Sequence, residues 1–185
     1  MRGQPATGFA VAYPGAMSVR TLVTVEEYLK TSYSPDCEYR DGILVERNVG
    51  TKSHSLLQAK LAQYFSNRRK QWKIQAYIGL RIQVRENWYP IPDVCIYGLP
   101  DFEEPYPSTP PLLWIEILSP DDRMVDVWAK ADELIRCGVP NVWIINPDTL
   151  ASELRNGAGI AQISDKILSL SETQIVIPLL SVMEE

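Results

Sequence analysis

The chain has 185 residues, 45% hydrophobic and 22% charged, with a formal net charge of −5, which fits one domain able to bury a core. The acidic balance argues against strong non-specific nucleic-acid binding, which rests on phosphate neutralisation, and leaves room for a local basic patch. No apolar run approaches the roughly 18 residues of a membrane span. A single His and three separated cysteines (Cys37, Cys95, Cys137) with no CxxC pair speak against a Cys/His zinc site, and with no call for an oxidising compartment the cytoplasm is the default expectation.

In chain order, Met1 to Ala16 is Gly/Pro/Ala-rich and weakly patterned. It is too weak for a signal peptide and is expected to be a disordered extension, with Met17 as an alternative start and residues 17–185 as one domain. Thr24-Val-Glu-Glu-Tyr-Leu reads as a short helix with Thr24 as N-cap and Glu27 in a capping box. Asp41-Gly42 between Cys37–Arg40 and Ile43–Glu46 is a hairpin signal. From about Ser53 to Gln71, Leu57, Leu61, Tyr64 and Phe65 fall on one helical face, with Arg68, Arg69, Lys70 and Lys73 at the exposed end.

Strands are expected over roughly Gln75 to Val84, Asp93 to Tyr97 and Leu112 to Leu118, with the Pro- and acid-rich stretch Gly98 to Pro111 as an exposed loop. Ser119 as N-cap, Pro120 and the acids Asp121 and Asp122 predict the start of a helix. Its apolar face is Met124, Val127, Trp128, Ala131, Leu134 and Ile135, and Gly138 and Pro140 end it. Asn141 to Ile145 reads as a buried strand stopped by Asn146-Pro147-Asp148, followed by a hairpin around Gly157-Ala158-Gly159 and a last segment, Thr173 to Leu180. Helix, three strands, helix, strand fits a mixed sheet with helices on its faces.

Glu116 is the one polar residue in Leu112-Leu-Trp-Ile-Glu-Ile-Leu, a strand of the kind buried on both faces. A buried carboxylate is expensive unless it is paired, protonated or bound to a cation. Either Glu116 pairs with a buried Arg or Lys and supports only the fold, or it shares a cation with Asp93, which opens the preceding strand after Pro90-Ile-Pro92. Mg²⁺ takes one or two carboxylates plus waters and phosphate oxygens, and a backbone carbonyl such as that of Ile117 could add a ligand. Asp93 as a plain strand-start residue is the alternative.

Pro92-Asp93 followed by Glu116-Ile117-Leu118 resembles the PD-(D/E)XK signature with its last Lys replaced. The wider pattern is similar to the Uma2 family of restriction-endonuclease-like proteins. It comprises Glu38-Tyr39-Arg40-Asp41-Gly42, His54 at a helix start, Pro92-Asp93-Val94, Ile115 to Pro120, Asp126-x-x-x-Lys130, and Gly138-Val139-Pro140-x-x-Trp143 to Pro147. The pieces run roughly from Leu22 to Pro147.

The resemblance implies an α/β (α+β) restriction-endonuclease-like core, a mixed sheet flanked by helices, with an extra N-terminal helix and hairpin. It implies a Mg²⁺- or Mn²⁺-dependent phosphodiesterase site in which Asp93 and Glu116 are the metal acids. Lys130 of the following helix replaces the missing strand Lys, where Leu118 stands. On a helical wheel Lys130 flanks the apolar face: either it reaches the sheet edge with Asp126, one turn earlier, holding it as an i,i+4 pair, or the two form only a surface salt bridge. Two positions depart from the family: Asn146 stands where a carboxylate is frequent, and Leu134 where Tyr is frequent.

Glu38 is either a site acid or an exposed strand-end Glu. His54 either contacts phosphate or water, or is a satisfied core histidine. The basic run either meets DNA phosphates or caps a solvated helix end. The expected function is a metal-dependent DNA endonuclease, with a homodimer by analogy to nucleases that cut two strands. The alternatives are a nuclease-fold protein that binds nucleic acid or a protein partner without cleaving, and an assembly domain that binds no metal.

Overall fold

The computed structural model describes residues 22–48 and 50–184; the expected extension over residues 1–16 and the alternative start at Met17 lie outside them. Thr24 accepts the Glu27 amide and starts helix α1 (Val25–Lys30). Strands β1 (Cys37–Arg40) and β2 (Ile43–Glu46) form the expected hairpin. Its turn needs left-handed backbone at both centres, φ +50° at Asp41 and +86° at Gly42, the combination that Asp-Gly supplies most readily. Thr51 caps the long helix α2 (Lys52–Trp72), whose buried face is Leu57, Leu61, Tyr64 and Phe65.

Strand β3 (Ile74–Ile78) is shorter than expected. Gly79 at φ +61° breaks it, and Leu80 to Val84 leave the large sheet as a bracket in which the Ile82 amide meets Pro90 O and the Val84 amide meets Trp88 O. The sequence reading missed β4 (Trp88–Tyr89), which joins β1 as a third strand of the hairpin sheet. Two residues carry too little periodicity to be seen. Strands β5 (Val94–Gly98) and β6 (Leu113–Ile117) follow. The loop between them is only partly exposed: its acids Glu103 and Glu104 face outward, while Phe102 packs on the rings of Tyr77 and Tyr97.

Helix α3 (Met124–Arg136) starts four residues later than a Ser119 cap requires. The Ser119 amide donates to Asp122 Oδ2 (2.7 Å) and the Asp122 amide to Ser119 O (3.0 Å), so Ser119 to Asp122 close a turn of their own. Strands β7 (Asn141–Ile145), β8 (Ser152–Asn156) and β9 (Gly159–Gln162) complete the large sheet. The expected last segment divides. Strand β10 (Ile167–Ser169) pairs with β11 (Val176–Pro178), and helix α4 (Leu179–Glu184) follows.

The large sheet has six strands in the order β3-β5-β6-β7-β8-β9, with β6 and β7 parallel and the other neighbours antiparallel. It is a mixed sheet buried on both faces. Leu113, Ile115, Ile117, Trp143 and Ile145 point to the core beneath α2. Trp114, Val142 and Ile144 point to the core beneath α3 with Ala131 and Leu134. Helix α1 docks on the hairpin through Tyr28, Tyr39 and Tyr89, and the Tyr28 hydroxyl donates to Cys37 O (2.8 Å). Among the described residues no helix is long and apolar enough to cross a membrane.

Gly138 sits at φ +98° just after α3, where the Gly138 and Val139 amides close the helix on Ile135 O and Leu134 O. A Cβ there would meet only Pro110 Cγ at 3.6 Å, an ordinary contact, so a side chain adds backbone strain alone. Gly138→Ala is expected to cost about 1–2 kcal/mol, read as a lower urea midpoint at unchanged slope. An unchanged midpoint would show that this turn does not require the left-handed residue.

Candidate metal-acid cleft

Pro90-Ile91-Pro92 leads the chain into the sheet edge, where the Asp93 amide donates to Ile115 O (3.2 Å). One step beyond the Val94–Ile115 pair, Asp93 lies opposite Glu116 on the neighbouring strand, and opposite residues of an antiparallel pair share a face. Asp93 is 5% exposed, and both of its carboxylate oxygens are engaged. Oδ1 accepts from Arg47 Nη2 (2.8 Å). Oδ2 accepts from the Ile117 amide (2.8 Å) and lies 3.3 Å from His54 Nε2. Gln58 of α2 donates to the Asp93 carbonyl (2.8 Å). Burial pushes the Asp93 carboxyl up, but the bonds from His54 and the Ile117 amide and the nearby positive charges outweigh it, and its pKa is lowered. His54 moves the other way: its bond to Asp93 raises its pKa against the opposing effect of burial. Gly50 makes room for that imidazole, since a Cβ there would stand 2.8 Å from His54 Nδ1.

Glu116 is held from its own strand and from α3. Its Oε1 accepts from Trp114 Nε1 (2.8 Å) and lies 2.7 Å from Lys130 Nζ. Lys130 also donates to Glu38 Oε1 (2.6 Å), which in turn accepts the Ile91 amide (3.1 Å). One ammonium thus joins α3, β6 and the hairpin strand β1. Burial disfavours the Lys130 charge, but attraction to Glu116 and Glu38 more than restores it and its pKa is raised. The Glu116 carboxyl is also pushed up, first by burial, with repulsion from Asp93 and Glu38 adding and Lys130 opposing. The two directions disagree about the ion pair. We take Glu116 as ionised, because the Lys130 ammonium lies 2.7 Å from its Oε1 and Trp114 Nε1 donates to the same oxygen. Its upward push then records mainly the cost of burying the charge, with repulsion from Asp93 and Glu38 adding to it.

These groups line one cleft of about 230 Å³, with Arg47, Asn48, Asp122 and Asp126 at its walls. The structure brings together Asp93, Glu116, Lys130, Glu38 and His54. Glu38 is not an exposed strand-end residue, as its side chain is 14% exposed. Asp126 does not hold Lys130: it stands 3.6 Å from Arg123, and Lys130 turns inward to the two glutamates. Of the basic run, Arg68 stacks on Tyr64 and Arg69 donates to Gln75; neither lines the cleft. Asn146 closes a turn onto the Asp148 and Thr149 amides, and Leu134 is core. Sequence reasoning missed Arg47, because nothing in a strand-end Arg signals its partner 46 residues away.

Among the described residues no group of three or more His, Cys, Asp and Glu is placed to hold a metal ion. Mg²⁺ does not need such a group, since one or two carboxylates with water and phosphate oxygens suffice. Asp93 and Glu116 on adjacent strands, with mutual repulsion to relieve, are an oxygen donor set that fits such an ion. Glu116 Oε2 is bonded to nothing else among the described residues.

The Lys130 cation faces two carboxylates that are 14% and 16% exposed. Lys130→Met is expected to cost about 3 kcal/mol in metal-free buffer, because breaking a buried pair strands the remaining charges. Adding Glu116→Gln should recover part of that loss, a coupling on the order of 1 kcal/mol in a double-mutant cycle by urea unfolding. Strictly additive losses would show the pair to be uncoupled.

No curated protein matches the sequence. Five chains of solved structures match. One is described as a "putative nuclease belonging to DUF820" from Anabaena variabilis, with a TM-score of 0.71 at 22% identity, covering 87% of this chain and 99% of that one; at that identity the likeness shows the fold. The profile of the Uma2 family, described as "Putative restriction endonuclease", matches residues 25–166. With the profile spanning most of its length, the chain belongs to the Uma2 family and carries that family's nuclease-like fold.

Proposed function

We propose that the protein is a metal-dependent endonuclease that hydrolyses DNA phosphodiester bonds in this cleft. The observation that carries the reading is the meeting of Asp93, Glu116 and Lys130 from two strands and a helix, with Lys130 Nζ 2.7 Å from Glu116 Oε1. Family membership supports the reaction class.

Asp93 and Glu116 would hold Mg²⁺ or Mn²⁺, with the Ile117 carbonyl as a further oxygen. The chemistry such an ion supplies is Lewis acidity toward water and phosphate oxygens. Lys130 orients the attacking water or neutralises charge developing on the phosphate. Glu38, fixed by the Ile91 amide, positions Lys130, and His54 steadies Asp93. The water oxygen forms the new P–O bond and loses a proton to solvent, and the leaving sugar oxygen takes the electron pair of the bond that breaks and a proton from solvent. No covalent enzyme intermediate is required. By analogy with nucleases that cut both strands, two copies would act together.

A second reading has one observation in its favour: Arg47 and Lys130 already supply cations to Asp93 and Glu116. On that reading the chain keeps the fold and binds nucleic acid or a protein partner without cleaving.

Plasmid and single-stranded DNA incubated with Mg²⁺, Mn²⁺ or EDTA separate the two. Cleavage is expected with either metal and none with EDTA. Asp93→Ala and Glu116→Gln should remove most of it, and Lys130→Ala should lower it on the order of a hundredfold. DNA binding without cleavage under every metal condition would favour the second reading, and undiminished cleavage by Glu116→Gln would refute the role given to that carboxylate.

A further inference from the structure

The Asp93 carboxylate has three partners, and they differ in freedom to move. The Ile117 amide belongs to the sheet. His54 is 8% exposed, carried on the capped first turn of α2 and packed against Gly50. Arg47 is different. Its backbone is tied, the amide donating to Asp36 O (3.1 Å), but its side chain is 25% exposed and lies along the open cleft. Nη2 bonds Asp93 Oδ1, and the rest of the five guanidinium N–H groups meet no acceptor among the described residues. Such a group has donors in surplus and stays charged at every relevant pH.

A divalent cation entering at Asp93 meets that guanidinium 2.8 Å from Oδ1, and two positive charges on one carboxylate repel each other. Of the three partners, only Arg47 combines positive charge, solvent access and a long stem, so it is the one that yields. The released fork remains tethered at the end of β2, beside the cleft. Its planar pair of N–H donors matches a phosphate oxygen pair, which a point-charge ammonium does not.

We propose that Arg47 is a two-position residue of this site: it occupies Asp93 while the metal is absent and clamps the substrate's phosphodiester group once the metal is in place. This rests on the metal-site reading above and adds to it a phosphate-binding residue and a built-in competitor for the cation. The two roles give Arg47→Ala effects of opposite sign, which a merely structural ion pair does not.

The test uses the full chain, Mn²⁺ alone as the binding probe, and plasmid DNA as the substrate. By calorimetry Arg47→Ala is expected to bind Mn²⁺ on the order of tenfold more tightly than the native protein, the factor set by one charge-assisted hydrogen bond. Mn²⁺ should also raise its melting temperature more than it raises the native one. At saturating Mn²⁺ its cleavage should fall about a hundredfold. Arg47→Lys keeps the charge and loses the fork, so it should bind Mn²⁺ nearly as the native protein does and still cleave poorly. It also keeps the test decisive where the alanine variant does not fold: native-like cleavage by Arg47→Lys overturns the clamp. Native Mn²⁺ affinity or weaker in Arg47→Ala overturns the competition while leaving the metal site standing. Absence of Mn²⁺ binding in both the native protein and Arg47→Ala overturns the metal site and this proposal with it.

Discussion

A single ammonium between two partly buried carboxylates organises the cleft. Lys130 reaches Glu116 on β6 and Glu38 on β1 at 2.7 and 2.6 Å, and it lies 5.9 Å from the centre of the Trp114 ring. The parallel pair β6–β7 requires a crossover, and α3 is that crossover. Lys130 sits on its flank, so the ion pair draws the helix, the central strand and the hairpin to one place. Without the hairpin, Lys130 would have one acid in place of two. Without α3, the central strand would carry a buried acid with no counter-charge, a cost no nearby apolar group can offset.

The same arrangement sets the terms on which an acidic chain would meet a polyanion on the proposed reading. Glu38, Asp93, Glu116, Asp122 and Asp126 all line the cleft, against Arg47, Lys130 and an Asp93-bound His54. A cleft of that sign repels phosphate and attracts cations. The sequence's net charge of −5 is therefore compatible with a nucleic-acid substrate when a metal ion and a few placed cations mediate the contact. The basic end of α2 is a separate matter: Arg68 and Arg69 serve their own helix and its neighbours through Tyr64 and Gln75.

Much of the fold was legible because local chemistry and tertiary structure agree. Asp41-Gly42 supplies the two left-handed residues of a hairpin, Thr24 caps its helix, and Gly138 ends α3. The failures have local causes as well. Ser119-Pro120-Asp121-Asp122 has the composition of a helix start, yet the Asp122 carboxylate turns back to the Ser119 amide and spends those residues on a turn. Val84 and its neighbours look strand-like, but Gly79 lets the chain leave the sheet and bind Pro90 and Trp88 instead. Strand β4 was invisible because it is a strand only by virtue of β1.

By itself the sequence determined that Glu116 needs a charged neighbour, since one carboxylate in an apolar run has few ways to persist, and that Asp93 opens an adjacent strand. It also placed Lys130 on the flank of a helix face, within reach of the sheet. What it could not determine was the choice among partners. Asp126 is one helical turn from Lys130 and Glu38 is 92 residues away, yet Lys130 bonds Glu38 and Glu116, because pairing inside the cleft meets less competition from water than pairing on the outer face of α3. Arg47 meets Asp93 for the same reason, across 46 residues and three elements of structure. Periodicity and capping act within a few residues, whereas a charge in a low-dielectric cleft takes whichever partner the fold delivers to it, and only the packed structure decides which that is.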